Sequence, residues 1–367
     1  MNVTKGLLRG IIGKTIMVTG GTGSFGHYIV AELLKYDVHR IIVFSRDENK
    51  QYEMEMQYKR DKLTFAPGDV FTVDEEDQFR TRNACREDRL VFALGDVRDL
   101  DRVMEVTRNV DIIYHAAALK QVPYCEFHPY EAVKTNIVGA HNIKTAAIKN
   151  AVEKVIGIST DKAVKPVNAM GMSKALQEKI FLSEEEMHYD TKFAIVRYGN
   201  VLGSRGSVIP AFKERILRKQ PLNITHEDMT RFIITLKQAI ELVLYATSKT
   251  EKREIFVRKA PACSIMDLAK VMSQALTGGT NYSIVKVGIR PGEKIHEVLV
   301  SEEEMFRTKE FEDYFVIYPY GEYLKMKNGG NLDFFRRSSN IKEYSSESTR
   351  RLSKEEILSL LKSTGWV

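Results

Sequence analysis

The sequence predicts an α/β fold: a doubly wound parallel sheet with a smaller mixed α/β segment set against one edge. Three observations predict it. Short β-branched runs alternate with longer helix-like stretches through the first 200 positions, the pattern of parallel strands joined by crossover helices. A glycine-rich turn, TGGTGSFG, stands directly between the first strand-like and first helix-like runs. No stretch of about 18 consecutive apolar residues occurs, so no membrane insertion is expected.

Length and composition agree. The 367 residues, 43% hydrophobic and 28% charged, suffice for a sizeable core in one large domain with an appendage, or in two fused units. The net charge of +6 comes from 55 Lys and Arg against 49 Asp and Glu, interspersed in sign. That is a poor nucleic-acid signal and suits an anionic small substrate equally well. Cys85, Cys125 and Cys263 are odd in number and lack CxxC or Cys/His spacing, which argues against a disulfide framework or any metal site and for a reducing, cytoplasmic setting. The start, MNVTKGLLRGIIGK, is broken by Arg9 and Gly10. It reads as an amphipathic turn packed on the domain rather than a signal-peptide core.

The first strand is KTIMVTG, followed by the glycine turn, the helix HYIVAELLKYD and the strand RIIVFS. Further strands are expected at RLVFALGD (89–96), VDIIYHAA (110–117), KVIGIST (154–160) and KFAIVRYGN (192–200), with helices at 131–150 and from Ser173 to His188. The charged stretch 61–88 exceeds what an αβ connection needs and contains LTFAPGDV, an echo of LVFALGDV. Pro67 cannot donate to a sheet ladder, so 61–88 is read as an insertion. After Asn200 the periodicity is mixed, and the tail, rich in Gly, Asn, Ser and Arg, ends in LSKEEILSLLKS. Residues 1–200, with 228–258 returning, are therefore assigned to a dinucleotide-binding unit. Residues 201–227 and 259–324 form a substrate unit over the carboxyl edge, where open α/β sheets bind ligands. Residues 325–367 read as an extended arm ending in a short helix, suited to a contact between copies of a homo-oligomer.

Gly20, Gly23 and Gly26, with Thr22, Ser24 and Phe25 between them, permit a tight turn, close approach to a pyrophosphate and tight helix–strand packing, while the helix N-terminus supplies donors. Placement between strand and helix is the context that confirms such a motif. The second strand ends in Ser45 and Arg46 rather than an acid. That suits a 2'-phosphate and hence NADP, although Asp47 keeps NAD open. Asp96 and Val97 close the third strand, where Asp96 either meets the adenine amine or caps the following helix. Ala116, Ala117 and Ala118 close the fourth, small enough for a flat cofactor to lie against the backbone.

Residues 159–174 read STDKAVKPVNAMGMSK. A dinucleotide-dependent redox site would ordinarily offer a Tyr four residues before Lys174, but Met170 stands there and a thioether carries no proton. Lys174 can bond nicotinamide-ribose hydroxyls and lower the pKa of a nearby acid. Thr160, Asp161 and Lys162 bring an acid and an amine to the strand end. They form either a catalytic cluster or a surface ion pair worth under about 1 kcal/mol.

TGxxGxxG, GDVRD, HAAALK, STDKA and the final Lys174, in this order, resemble the extended short-chain dehydrogenase/reductase superfamily, of Rossmann fold. FSRDE, HAAALKQVP, TNIVGAHN, STDKAVKPVNAMGMSK, RYGNVLGSRGSVIP, MTRF and RPGEK narrow the resemblance to bacterial UDP-N-acetylglucosamine 4,6-dehydratases of the C5-inverting type, of capsule and O-antigen synthesis, most clearly over residues 14–300. The 61–88 stretch is a departure from that pattern. Flagellar pseudaminate-pathway members carry Tyr at the position of Met170, whereas capsular members resemble this chain in having Met.

The resemblance implies a lyase with tightly held NADP, UDP-N-acetylglucosamine as substrate and UDP-2-acetamido-2,6-dideoxy-L-arabino-hexos-4-ulose as product. Lys162 would be the C5 base, its pKa lowered by burial and by Lys174, and Asp161, kept protonated by burial, the acid for the C6 hydroxyl. Thr160 would bond the C4 oxygen, with Lys174 stabilising the charge. Lys120 and Tyr198 join the cofactor contacts. Lys120, Asn200, Ser204, Arg205, Val208, Pro210, Thr225, Arg231, Arg290 and Glu293 would hold the substrate, the arginines because their geometry matches phosphate. Arg231 as a loop tie and SRGS as a plain turn are the alternatives. Rival functions are a nucleotide-sugar 4-epimerase, which needs C4 oxidation without elimination, and a non-catalytic NADP-binding regulator.

Overall fold

Thr15–Thr19 (β1) is a β-branched run buried at every position, as expected of a strand covered by helices on both faces. The computed structural model describes residues 10–59, 89–183, 189–204, 206–279, 281–330, 332–335 and 342–367. The insertion read at 61–88, Arg205 and most of the expected N-terminal turn lie outside them. From β1 the chain passes through α1 (Ser24–Leu33) to β2 (Arg40–Ser45), parallel to β1 with Thr15 opposite Arg40. It continues through α2 (Glu48–Lys59) to β3 (Leu90–Leu94), parallel to β2.

α3 (Leu100–Val106) then crosses to β4 (Ile112–His115), which pairs with the other side of β1. The strand order reverses there, opening the crevice in which such sheets bind ligands. α4 (Val122–Phe127) follows, and α5 (Gly139–Lys149) is preceded by a π-helical turn, Val133–Val138, and a short helix, Pro129–Ala132. β5 (Lys154–Thr160), α6 (Ala169–Leu182) and β6 (Lys192–Tyr198) extend the parallel sheet. α6 begins before the expected Ser173 because the Asn168 side chain accepts from the Gly171 amide (2.7 Å) and caps it. Met170 therefore lies inside the helix.

The second half alternates between two places. β7 (Asn200–Val201), α7 (Val208–Leu217), β8 (Leu222–Ile224) and β9 (Thr230–Ile234) lie beyond the main sheet. α8 (Leu236–Lys249) leads back to it through β10 (Arg253–Arg258), parallel to β6. β11 (Ala262–Ser264) pairs with β9, and after α9 (Ile265–Thr277) β12 (Ile284–Lys286) pairs with β8. Then come β13 (Val298–Val300), α10 (Glu302–Met305), β14 (Thr308–Glu310), β15 (Tyr314–Ile317), α11 (Tyr320–Asn328), β16 (Tyr344–Ser345) and α12 (Lys354–Ser363). Among the described residues the main sheet has nine strands, ordered β14-β15-β10-β6-β5-β4-β1-β2-β3.

Two expectations are corrected here. Residues 308–317, assigned to the substrate unit, instead join the main sheet as antiparallel β14 and β15. The buried Phe315, Val316 and Ile317 are paid for by that sheet's core. The arm also folds back on its own chain over residues 342–367. Ser346 N donates to Glu297 O (2.8 Å) and Leu352 N to Ala262 O (2.8 Å), while Ile357 and Leu361 enter a second core with residues of α7 and α9.

The two halves meet over a buried ion cluster. Arg197 on β6 donates from Nε to Glu178 Oε1 (2.8 Å) and from Nη2 to Glu178 Oε2 (2.5 Å), and reaches Glu304 through Nη1 (2.9 Å) and Nη2 (2.8 Å). Burial would raise the Glu304 pKa, but Arg197 outweighs it and holds the carboxyl down at about 2. Removing one partner of such a cluster leaves an uncompensated buried charge, which costs about 3–5 kcal/mol. Glu178→Ala is therefore expected to lower the unfolding free energy by about that amount, and a loss under about 1 kcal/mol in urea denaturation would contradict it.

Candidate functional site

At the switch between β1 and β4 lies a cleft of about 960 Å³, at the large end for ligand pockets. The β1–α1 turn forms its floor. Gly20 has φ +65°, and a Cβ there would come within 2.9 Å of the Ala117 backbone; a Cβ at Gly26 would meet Gly21 O at 2.2 Å. Only glycine leaves room at either place. Gly20, Thr22, Gly23, Ser24, Phe25, Gly26, Ser45, Arg46, Asp96, Val97, Ala116, Ala117, Ala118, Lys120, Lys174 and Tyr198 all line the cleft.

Side-chain roles at the β2 and β3 ends are differentiated. Ser45 is buried and tied down: Thr22 Oγ1 donates to its Oγ (3.2 Å) and Gln51 Nε2 to its carbonyl (2.9 Å). Arg46 is 54% exposed and stands 3.8 Å from Asp96, while Asp47 is paired with Lys50 at 2.9 Å. Burial disfavours the ionised Asp96, yet hydrogen bonds from Arg98, including Nη2 at 2.7 Å, hold its pKa below the usual range. Asp99, not Asp96, caps α3 through the Arg102 amide (3.1 Å).

Thr160 and Lys162 line the middle of the cleft, with Asp161 fully buried behind them. Asp161 Oδ1 accepts from Thr160 Oγ1 (2.8 Å) and Lys162 Nζ (3.0 Å), and Oδ2 is buried without a hydrogen-bond partner among the described residues. Lys162 also stands 3.4 Å from Glu297 Oε1. Burial lowers the Lys162 pKa, but Asp161 and Glu297 together more than reverse this and raise it above the ordinary lysine value. That corrects the expectation of a lysine lowered by Lys174.

Lys174 moves the other way. Its Nζ donates to Ile158 O (2.5 Å) and Gln177 Oε1 (2.6 Å), and burial pushes its pKa down to about 7 against the weaker pull of Glu178. Met170, one turn earlier, is buried beside Cys125 and Ala132 while still facing the cleft.

Asn200 and Ser204 also line the cleft; Val208, Pro210, Thr225, Arg231, Arg290 and Glu293 do not. Arg231 is a loop tie: its guanidinium donates to the carbonyls of Thr230 (2.7 Å), Lys294 (2.9 Å) and Ile295 (3.0 Å). RPGEK clasps the loop after β5, with Asn168 Nδ2 on Gly292 O (2.7 Å) and Lys294 Nζ on Val164 O (2.6 Å). Thr225 Oγ1 bonds Met229 Sδ (3.2 Å), and Arg290 N bonds Glu293 Oε2 (3.3 Å).

Residues the sequence left unmarked complete the site. Glu297, in the apolar-looking HEVLV, is buried among Lys162, Lys294 (3.5 Å) and Arg231 (3.8 Å). Thr135, Ser207 and Trp366 line the cleft and, like Asn200, each has a buried polar atom without a partner among the described residues.

Residues 16–319 match the polysaccharide biosynthesis protein family. The chain belongs to that family. It is 40% identical over 365 residues to a UDP-glucose 4-epimerase of Rickettsia canadensis, covering 97% of both chains. Among solved structures it resembles Pen from Bacillus thuringiensis, with TM-score 0.81 and 31% identity over 96% of this chain and 99% of that one. DesIV, a dTDP-glucose 4,6-dehydratase of Streptomyces venezuelae solved with NAD and TYD bound, has the same Rossmann fold (TM-score 0.62, 20% identity, 77% of this chain and 86% of that one). No helix among the described residues is long and apolar enough to cross a membrane.

The depressed Lys174 pKa carries a stability consequence. Between about 7 and the unfolded value near 10.4, the unfolded chain binds a proton at Lys174 that the folded chain does not, so stability rises with pH. Lys174→Met removes that slope: its stability relative to the parent is expected to be greatest at and below pH about 7 and to converge toward about 10. Urea midpoints across this window measure it, and a constant difference would contradict it.

Proposed function

We propose that this protein is an NADP-dependent 4,6-dehydratase acting on UDP-N-acetylglucosamine with inversion at C5, giving UDP-2-acetamido-2,6-dideoxy-β-L-arabino-hexos-4-ulose for capsule or O-antigen synthesis. The observation that carries this reading is the Asp161–Lys162 pair, 3.0 Å apart at the end of β5, beside a glycine cradle shaped for a dinucleotide. Gly20 and Gly26 give the β1–α1 turn its tight backbone packing, and Arg46, which lines the cleft, would meet a 2'-phosphate. When bound, the nicotinamide would supply reversible storage of a hydride.

The chain's own groups supply the proton chemistry. Its carboxylate neighbours hold Lys162 charged at rest, so the amine base would form only as one proton passes from Nζ to Asp161 Oδ1, which gives at once the base and the acid that elimination needs. With C4 of the sugar at the ketone level the C5 proton is acidic, and the Lys162 amine takes it. The Asp161 proton passes to Thr160 Oγ1, 2.8 Å away on the cleft, whose own proton goes to the C6 hydroxyl, the C6–O bond breaks, and water leaves. The pair is again carboxylate and ammonium, ready for another turnover. Return to C6 of the hydride that a bound nicotinamide would hold, with a proton reaching C5 from water on the face opposite Lys162, would complete the product and invert that centre.

Lys174 answers for the missing Tyr. With its pKa at about 7, its neutral form has a lone pair beyond the two acceptors it serves, enough to take the C4 hydroxyl proton relayed by Thr160. Asn200, Ser204 and the N-terminus of α7 would face the glycosyl diphosphate.

The 4-epimerase name of the Rickettsia relative favours a second reading, C4 oxidation without elimination. Incubation of the protein with UDP-N-acetylglucosamine separates them by mass spectrometry: a product lighter by one water supports dehydration, and inverted C4 at unchanged mass rejects it. Asp161→Asn and Lys162→Ala are each expected to reduce dehydration at least about a hundredfold; turnover surviving in both would exclude the pair from the chemistry. Arg46→Asp is expected to weaken NADP⁺ binding about tenfold or more relative to NAD⁺, and an equal loss for both would remove Arg46 from the 2'-phosphate site.

A further inference from the structure

We propose that Trp366 is a wall of the nucleotide-sugar half of the cleft and, by packing on Gly203, fixes residues 200–204 in their binding shape. The inference rests on the nucleotide-sugar reading of that half. Residues 200–204 are held by backbone bonds, Leu202 N to Ile234 O (2.9 Å) and Ser204 N to Val201 O (3.2 Å). Between these bonds the loop is held by the indole: Gly203 has φ +72°, and a Cβ there would lie 2.5 Å from the Trp366 ring. The contact thus requires both the absence of a side chain at Gly203 and a flat one at Trp366.

Trp366 is itself set firmly. Its amide donates to Leu361 O (2.9 Å), Gly365 turns the chain with φ +70°, and Leu361 and Ile357 bury α12 in the second core. Lys213 of α7 stands over the indole at 5.5 Å from its centroid, which couples the ring to the helix whose N-terminus opens on the cleft. Asn200 Oδ1, Ser207 Oγ and the indole Nε1 are buried polar atoms lacking partners among the described residues. These atoms are covered, the indole Nε1 by Gly203 itself, so Trp366 acts on the cleft through the shape it imposes on the chain around Gly203 rather than by donating to a ligand. A residue that holds this loop sets affinity for the nucleotide sugar without touching the reacting carbons.

Trp366 is the only tryptophan in the chain, so intrinsic fluorescence reports on this wall alone. The holoenzyme would be titrated with UDP-N-acetylglucosamine, UDP, TDP, CDP and GDP, following tryptophan emission and calorimetric heat in parallel. The same titrations would be made on Trp366→Phe and Gly203→Ala, with NADP⁺ affinity as the measure of an intact fold. The expected result is an emission change on UDP or UDP-sugar binding in the parent, and a Kd about tenfold weaker in both variants with NADP⁺ affinity unchanged. If Trp366→Phe loses NADP⁺ binding, Gly203→Ala, which keeps the indole but displaces it, decides alone. Calorimetric UDP binding with unchanged emission and unchanged variant affinities would overturn the proposal and leave the nucleotide-sugar reading standing. If another nucleoside diphosphate binds instead of UDP, the uridine reading fails and Trp366 is judged on that ligand by the same readouts. If none binds, both fall.

Discussion

The Arg197 cluster is the constraint on which the rest of the site depends. A guanidinium buried on β6 must be matched by carboxylates, because an unpaired charge in that low-dielectric interior is not tolerated. Glu178 and Glu304 answer it from two different parts of the chain. Ser159, the residue before Thr160, donates to Glu178 Oε1 at 2.5 Å. One cluster therefore sets β5, β6, the helix carrying Met170 and Lys174, and the segment that follows Glu297. The catalytic candidates sit where they do because the charges beneath them can be satisfied in only one arrangement.

The two lysines show how neighbours rather than burial decide chemistry. Both are enclosed, yet Lys162 is raised and Lys174 is lowered to about 7. Lys162 has two carboxylates within hydrogen-bond or ion-pair reach, Asp161 and Glu297, whereas Lys174 has carbonyl and amide oxygens and only the more distant Glu178. One lysine is thus held charged beside its carboxylates and the other is poised near neutrality. His115, behind Lys174, is driven down to about 3 by burial and by that lysine, so it adds no competing charge.

The dinucleotide half was legible because its signals are local. A glycine triplet between a strand and a helix states its own geometry, and every residue read as a cofactor contact lines the cleft. The substrate half was legible only in part. Asn200 and Ser204 follow directly from β6 and line the cleft, but the Arg231 guanidinium is engaged by carbonyls and RPGEK clasps the loop after β5. An arginine's partners are not written in its own motif.

By itself the sequence determined the class of fold, the glycine cradle, the absence of Tyr at position 170 and the acid–amine pair at the end of β5, since each depends on residues within a few positions of one another. Only the tertiary structure decided that Glu297 raises Lys162, that β14 and β15 complete the main sheet, and that Trp366 closes the cleft. Those contacts join residues more than fifty and up to about 160 positions apart in the chain. Their partners are chosen by which buried charges and apolar faces remain to be covered once the sheet has formed.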